Sequence, residues 1–262
     1  MNLWEAFVLG LVQGATEFLP VSSSGHLVMG QAILGIQVTG VTFEVAVHVA
    51  TLVSILLVYR KRVAELARGA LRGEAPAWRY LGLLVLATVP AAAIGLGFGD
   101  ALEALFEDAW VAGVALLVTG SFLWTARGAL GRNPSGRPGV REALLMGGAQ
   151  AFALVPGISR SGATVVMGLW LGVDAEEAAA FSFLMAVPAI LGAAVLELPN
   201  LAGGGGGPGT GALLLGSVVA ALTGVLAIMT FVAMLKKRSF HAFGPYCWAA
   251  GSAFLLYLFL GG

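Results

Sequence analysis

Glu17, His26 and Arg160 are ionisable side chains set in otherwise apolar stretches, and each has hydroxyls beside it. Glu17 stands three residues before Pro20, which opens the run Val21-Ser22-Ser23-Ser24-Gly25-His26. Arg160 stands in Pro156-Gly157-Ile158-Ser159-Arg160-Ser161-Gly162-Ala163-Thr164. An ionisable group in an apolar segment is costly and marks a functional site by default. If the two stretches meet, a carboxylate, an imidazole, a guanidinium and several hydroxyls converge. The planar fork of Arg donates two parallel hydrogen bonds and suits phosphate oxygens. Ser-Gly at the start of a helix exposes backbone N–H groups that favour an anion. Both Ser22-Ser23-Ser24-Gly25 and Ser159-Arg160-Ser161-Gly162 open a half-helix in this way. The expected chemistry is a phosphate or diphosphate cradle, with His26 as general base or nucleophile near neutral pH. Plainer readings stand beside this one. Ser22 to Ser24 are competent as a simple helix cap, Glu17 as a structural partner of Arg160, and His26 as a satisfied interior residue. His48 reads as packing or support behind the site, His241 as a surface residue near Lys236-Lys237-Arg238, and Glu5 and Glu44 as residues close to the outer face.

Positioning these groups requires two broken segments. The stretch 3–36 is interrupted by Pro20 and the Ser run, and 143–173 by Pro156-Gly157 and Ser159-Arg160-Ser161-Gly162. Each reads as two half-helices around a polar loop, a re-entrant hairpin, which is tolerated at membrane depth only inside protein or beside a water-filled cavity. Gln13-x-x-x-Glu17 followed by Pro and Ser-x-Ser-Gly returns as Gln150 followed by Pro and Ser-x-Ser-Gly, with a one-residue gap. Six further stretches are long and apolar enough to cross a bilayer: 42–59, 80–99, 109–126, 178–199, 211–235 and 243–260. Each broken segment precedes three spans. Three is odd, so the second copy enters from the opposite side, giving an inverted-topology repeat with its site where the broken helices meet. The expected fold is an all-α polytopic membrane protein of six transmembrane helices and two re-entrant hairpins. It forms a single membrane domain over 1–262, with repeat one at about 1–128 and repeat two at about 140–262.

Composition excludes the main alternatives. The chain is 58% hydrophobic and 11% charged, with 38 Gly in 262 residues, against about 25% charged in soluble domains. Such a chain cannot cover a globular surface with polar groups, and its hydrophobicity rules out disorder. Its zero net charge offers no basic field for nucleic acid. The lone Cys247 allows no intrachain disulfide. Of its fourteen Lys and Arg, all but Arg160 fall in three stretches: 60–79, 127–141 and 236–238. The 100–108 loop carries only acids, and the 201–210 loop, with Gly203 to Gly207 and Pro208, carries no charge. The positive-inside rule places the cationic stretches in the cytoplasm and both termini outside. Monomer and homodimer are both compatible with these residues.

The two motif strings, with Phe181-Ser182-Phe183-Leu184-Met185-Ala186-Val187-Pro188 as a lesser one, resemble the undecaprenyl-diphosphate phosphatase family, the bacitracin-resistance proteins, over essentially the whole chain. The resemblance implies hydrolysis of undecaprenyl diphosphate to undecaprenyl phosphate for reuse in cell-wall synthesis. It implies a place in the bacterial inner membrane, an active site opening outward, and activation by a divalent cation, Mg²⁺ or Ca²⁺. Carried onto this chain, it gives Glu17, Ser23 and His26 as catalytic residues. Arg160, Ser159, Thr164, Ser22 and Ser161 become phosphate ligands, and Glu17 with Gln13 the metal motif. Ser23 as nucleophile with His26 as base, and His26 itself as nucleophile, both stay open; Glu17 binds the cation or orients His26. Two departures stand out. Gln13 leaves one carboxylate in a motif that often has two, and Ala180 replaces an acidic residue common in relatives. A polyprenyl-phosphate transporter or flippase is the alternative, since inverted repeats with broken helices are its usual signature.

Overall fold

The computed structural model describes residues 1–34, 42–203 and 209–261. These form twelve α-helices: α1 Leu3–Phe18, α2 Ser23–Leu34, α3 Thr42–Val58, α4 Arg60–Leu71, α5 Ala75–Gly97, α6 Gly99–Glu107, α7 Ala109–Gly131, α8 Val140–Phe152, α9 Arg160–Trp170, α10 Ala175–Gly203, α11 Thr210–Lys236 and α12 Phe243–Phe259. Among the described residues there is no β-strand, only an isolated bridge between Gly136 and Val173. Helices α5, α7, α10, α11 and α12 are long and apolar enough to cross a membrane. Helix α3 has 17 residues, about 25 Å of rise, before the chain bends by 84° into α4. The protein is an all-α polytopic membrane protein.

Two helices fall where the sequence suggested loops. The cationic stretch after α3 forms α4, and the acidic stretch after α5 forms α6. Both carry charges at helical spacing, which builds a surface helix but leaves no apolar run. Several spans also extend past their apolar windows, α5 starting at Ala75 and α7 running to Gly131, because a helix continues into the polar zone. Of the expected outer loop at 201–210, residues 204–208 lie outside the described residues.

Close helix approaches explain why the hairpins meet. A Cβ added to Gly10 or Gly14 of α1 would lie 2.5 Å from the Gly216 carbonyl oxygen or 2.3 Å from that of Ala220, both on α11. Likewise, a Cβ on Gly147 of α8 would lie 2.3 Å from the Ala87 carbonyl of α5. Small residues thus let each hairpin's first half-helix press against a long helix from the other half of the chain. Helices α7 and α12 cross where Gly113 and Gly120 face Gly251 and Gly244. By contrast, a Cβ on Gly95, Gly97 or Gly99 would meet nothing within 4 Å among the described residues. This exchange of partners sets the hairpins tip to tip: a Cβ on Gly25 would lie 3.0 Å from the Gly157 Cα, and one on Gly162 would lie 3.2 Å from Pro20.

An aromatic ladder packs below the tips. Phe18, Phe183, Phe231 and Phe240 are all buried and meet edge to face, with centroids 5.0–5.5 Å apart. Such pairs contribute about 0.5–1.5 kcal/mol each beyond burial. The three cationic stretches gather at one end of the bundle. Arg62 on α4 pairs with Glu177 at 3.2 Å, Lys236 pairs with Glu176 at 3.0 Å, and Arg238 donates to Asn133. Helix α6, with Asp100, Glu103 and Glu107, follows the far end of α5.

Candidate active site

The Ser22 turn and the Ser159 turn are built alike. In each, the Ser hydroxyl accepts from the backbone N–H three residues on, Gly25 at 3.2 Å and Gly162 at 3.1 Å. Each hydroxyl also sits beside the next Ser but one, Ser24 at 3.1 Å and Ser161 at 3.3 Å. Each loop then reaches across to the other. The Ser24 hydroxyl accepts from the Gly157 N–H at 3.4 Å, and the Ser161 hydroxyl donates to the Leu19 carbonyl at 3.4 Å. Ser22 holds a left-handed backbone at φ 68°, a conformation costly for a residue with a side chain. Thr119 of α7 braces the second loop, donating to the Gly157 carbonyl at 2.8 Å and accepting from the Ser159 N–H at 3.2 Å.

Glu17 joins the two hairpins. Its Oε1 accepts from the Arg160 guanidinium at 2.5 Å. Its Oε2 accepts from the Ser23 hydroxyl at 2.8 Å and the Gln13 side-chain amide at 3.0 Å. His48 Nε2 lies 3.7 Å from the same oxygen. Arg160 compensates the buried carboxylate, and its Nη1 is buried with no partner among the described residues. A buried guanidinium N–H left free is costly, so this donor points to a missing acceptor.

A cleft of about 220 Å³ opens beside this cluster. Glu17, Ser22, Ser23, Ser24, Ser159 and Arg160 line it, with His48, Phe106 of α6, and Ala189, Ile190 and Ala193 of α10. That is room for a headgroup rather than a single water. Phe106 places the cleft mouth toward the α6 end, away from the cationic end.

The expected residues do not all reach this cleft. His26 turns away: Nδ1 meets the Ser22 carbonyl at 2.8 Å, Nε2 meets the Tyr246 hydroxyl at 2.7 Å, and the ring stacks on Tyr246. The expected Ser23–His26 pair is therefore absent, and Ser23 gives its proton to Glu17 instead. Thr164 is buried behind the loop, donating to the Arg160 carbonyl at 2.8 Å and sharing a 2.6 Å hydrogen bond with Ser182. Ser161 is also buried and does not line the cleft. Gln13 presents its NH₂ to Glu17, so its carbonyl is not beside the carboxylate as a metal ligand would be. Gln150, its counterpart in the second motif, is buried, and neither amide atom has a partner among the described residues. His48, read from the sequence as packing or support behind the site, is the imidazole that lines the cleft. Its Nδ1–H donates to the Glu44 carbonyl at 2.8 Å, and its Nε2 faces Glu17. The signal for it was position alone: a polar residue in the middle of an apolar span.

A polytopic membrane protein whose two broken hairpins close a carboxylate, a guanidinium and hydroxyls over a buried cleft has the build of a membrane protein acting on an anionic headgroup. The family described as Bacitracin resistance protein BacA matches residues 6–253, and the chain belongs to it. The chain is 40% identical to an undecaprenyl-diphosphatase of Desulforapulum autotrophicum over 96% of each chain. It is 39% identical to one of Desulfatibacillum aliphaticivorans, over 98% of this chain and 99% of the relative. An undecaprenyl-diphosphatase of Carboxydothermus hydrogenoformans is 40% identical over 98% of this chain and 97% of the relative.

Proposed function

We propose that this protein hydrolyses undecaprenyl diphosphate to undecaprenyl phosphate and inorganic phosphate, returning the lipid carrier to cell-wall synthesis. The observation that carries the proposal is Glu17, which receives Ser23 from its own hairpin and Arg160 from the other on its two oxygens. A carrier needs the cation to hold phosphate, but it has no use for a hydroxyl aimed at a carboxylate. The diphosphate lies in the cleft with its terminal phosphate at Ser23. Free Arg160 Nη1 and the N-terminus of α9 receive its oxygens, and such preorganised donors are the main catalytic lever in phosphoryl transfer. The Ser23 oxygen attacks the terminal phosphorus while its proton passes to Glu17. The bond to the bridging oxygen breaks, and undecaprenyl phosphate leaves as an anion. Glu17 passes that proton to the departing lipid phosphate; water then attacks the phosphorus on Ser23 with Glu17 again as base, and the proton goes on to the Ser23 oxygen as inorganic phosphate leaves.

The family resemblance adds a divalent cation. Among the described residues no three His, Cys, Asp or Glu side chains cluster to hold one. Glu17 is the one carboxylate that would hold a cation shared with the substrate's phosphates. Bound there, it would neutralise charge on the diphosphate. The cleft faces the outside if the positive-inside rule holds, since Phe106 lines it at the end opposite Arg62 and Lys236. The bacterial inner membrane is the setting this lipid requires. Phosphate release from undecaprenyl diphosphate by the purified protein in detergent tests the reading. Arg160→Ala should lower it roughly 10²-fold or more, the scale for a lost charge-stabilising donor, and wild-type protein releasing none would refute the reading.

A further inference from the structure

Two hollows share a wall at the cationic end of the bundle. One, of about 260 Å³, is polar, with Asn133, Asp174, Glu176, Lys236 and Arg238 in its lining. The other, of about 340 Å³, lies beside the end of α3 and the last turns of α11, where Val58, Met229, Val232 and Ala233 make it mainly apolar. Glu176 and Lys236 border both hollows, so their 3.0 Å ion pair stands between the two spaces. Both members of the pair are more than half exposed. Such a pair holds weakly, and either member can take a new partner at little cost.

The polar hollow has a fixed back. The Asp174 N–H donates to the Gly136 carbonyl at 2.8 Å, and its carboxylate accepts from the N–H groups of Glu176 and Glu177 at 2.9 and 3.1 Å. Arg238 donates to Asn133 on the other side. Two carboxylates and two cations therefore line one small space. A purely anionic head would lie against both acids, and a purely cationic one against both bases. A head with one charge of each sign finds a charge-assisted partner for each. The apolar hollow fixes what is attached to that head. On α11, a helix able to cross the membrane, Leu222, Leu226 and Met229 continue from it as a stripe, each 57–63% exposed. Hydrocarbon is what covers such a stripe in a bilayer.

We infer that these hollows bind one phospholipid whose head carries a phosphate and a primary amine, the chemistry of phosphatidylethanolamine. Lys236 and Arg238 take the phosphate, Glu176 and Asp174 take the ammonium, and one acyl chain starts along Val58, Met229 and Val232. Binding exchanges the Glu176–Lys236 pair for one contact from each to the head. The site shares no lining residue with the cleft at Glu17 and stands whether or not that cleft hydrolyses a diphosphate.

Native mass spectrometry of the delipidated protein in detergent tests the site, with phosphatidylethanolamine, phosphatidylcholine or phosphatidylglycerol of identical chains added. Phosphatidylcholine keeps both charges but has no N–H to donate, and phosphatidylglycerol has no amine. The first phosphatidylethanolamine should bind about tenfold more tightly than either, the scale of a lost charge-assisted hydrogen bond. Glu176→Gln and Arg238→Gln should each remove that advantage, and Ala233→Trp should block the chain and weaken binding by a similar factor. All three positions are exposed, so unfolding midpoints without lipid should stay near that of the wild type. Lys61→Gln, an exposed cation on α4 outside both hollows, should bind as the wild type does. Glycerophosphoethanolamine, the same head without chains, should not displace the lipid at equal concentration. Equal binding of the three lipids, or a preference for phosphatidylglycerol, would overturn the proposal. So would wild-type affinity in Glu176→Gln and Arg238→Gln, or displacement by the chainless head.

Discussion

Glu17 is the residue on which the rest of the site depends. It is buried, it accepts three hydrogen bonds, and its partners come from both hairpins. Removing its charge leaves the partly buried Arg160 without compensation, and removing Arg160 leaves the buried Glu17 so, and both changes cost more than one contact. Glu17→Gln and Ser23→Ala should each lower turnover on undecaprenyl diphosphate by roughly 10²-fold or more. Because the two act as one unit, the double variant should be no slower than the worse single one. Additive losses in a kinetic cycle would show that Ser23 does not act through Glu17. The imidazoles give a second comparison. His26 is tied to Ser22 and Tyr246 outside the cleft, whereas His48 faces Glu17 within it. His48→Ala should therefore lower kcat more than His26→Ala does, and the reverse order in the same assay would return His26 to the chemistry. The sequence placed Glu17, Ser23 and Arg160 near one another through the two broken motifs. It gave the chemistry to His26 and packing or support to His48, whereas His48 is the one that lines the cleft. Which way an imidazole points depends on its partner across the bundle, here Tyr246, 220 residues away in the chain.

At the level of the element, the hairpins depend on backbone approaches that side chains would block. Gly157 has φ 95°, and a Cβ there would lie 2.5 Å from the Ala112 carbonyl oxygen. Gly157→Ala should destabilise the protein by about 2–4 kcal/mol, combining left-handed strain with overpacking. Gly95→Ala, inside α5 with open space around it, should stabilise by about 0.5–1 kcal/mol as an ordinary helical Gly→Ala change. Thermal unfolding in detergent distinguishes them, and equal midpoints would mean the hairpin tips are not closely packed. Hairpins and spans were legible because Pro and Ser runs break apolar stretches and apolar runs mark long helices. Helices α4 and α6 were not legible that way. Their residues are amphipathic, and neither long enough nor apolar enough to stand out from a charged loop.

For the whole molecule, the charge distribution sets the orientation. The cationic segments meet through Arg62–Glu177 and Lys236–Glu176, so they lie at one end in three dimensions as well as in sequence. In a Cys247→Ala background, a membrane-impermeant thiol reagent added outside intact cells should label Ala101→Cys on α6. It should not label Ala67→Cys on α4 until the membrane is opened. Labelling of Ala67→Cys from outside would invert the orientation and place the cleft mouth at the cytoplasmic face. The pairing of α1 with α11 and of α8 with α5 was not visible in the chain. Gly10, Gly14 and Gly147 mark close approaches without naming the helix that makes them.

The central claim is that Ser23 takes the terminal phosphate while Glu17 takes its proton. Acid quenching of the purified protein during turnover of undecaprenyl diphosphate labelled in its terminal phosphate tests this most directly. The account predicts acid-stable label on the peptide containing Ser23, lost in Ser23→Ala along with phosphate release. Full phosphate release by Ser23→Ala, or acid-labile label on His26 or His48, would contradict it.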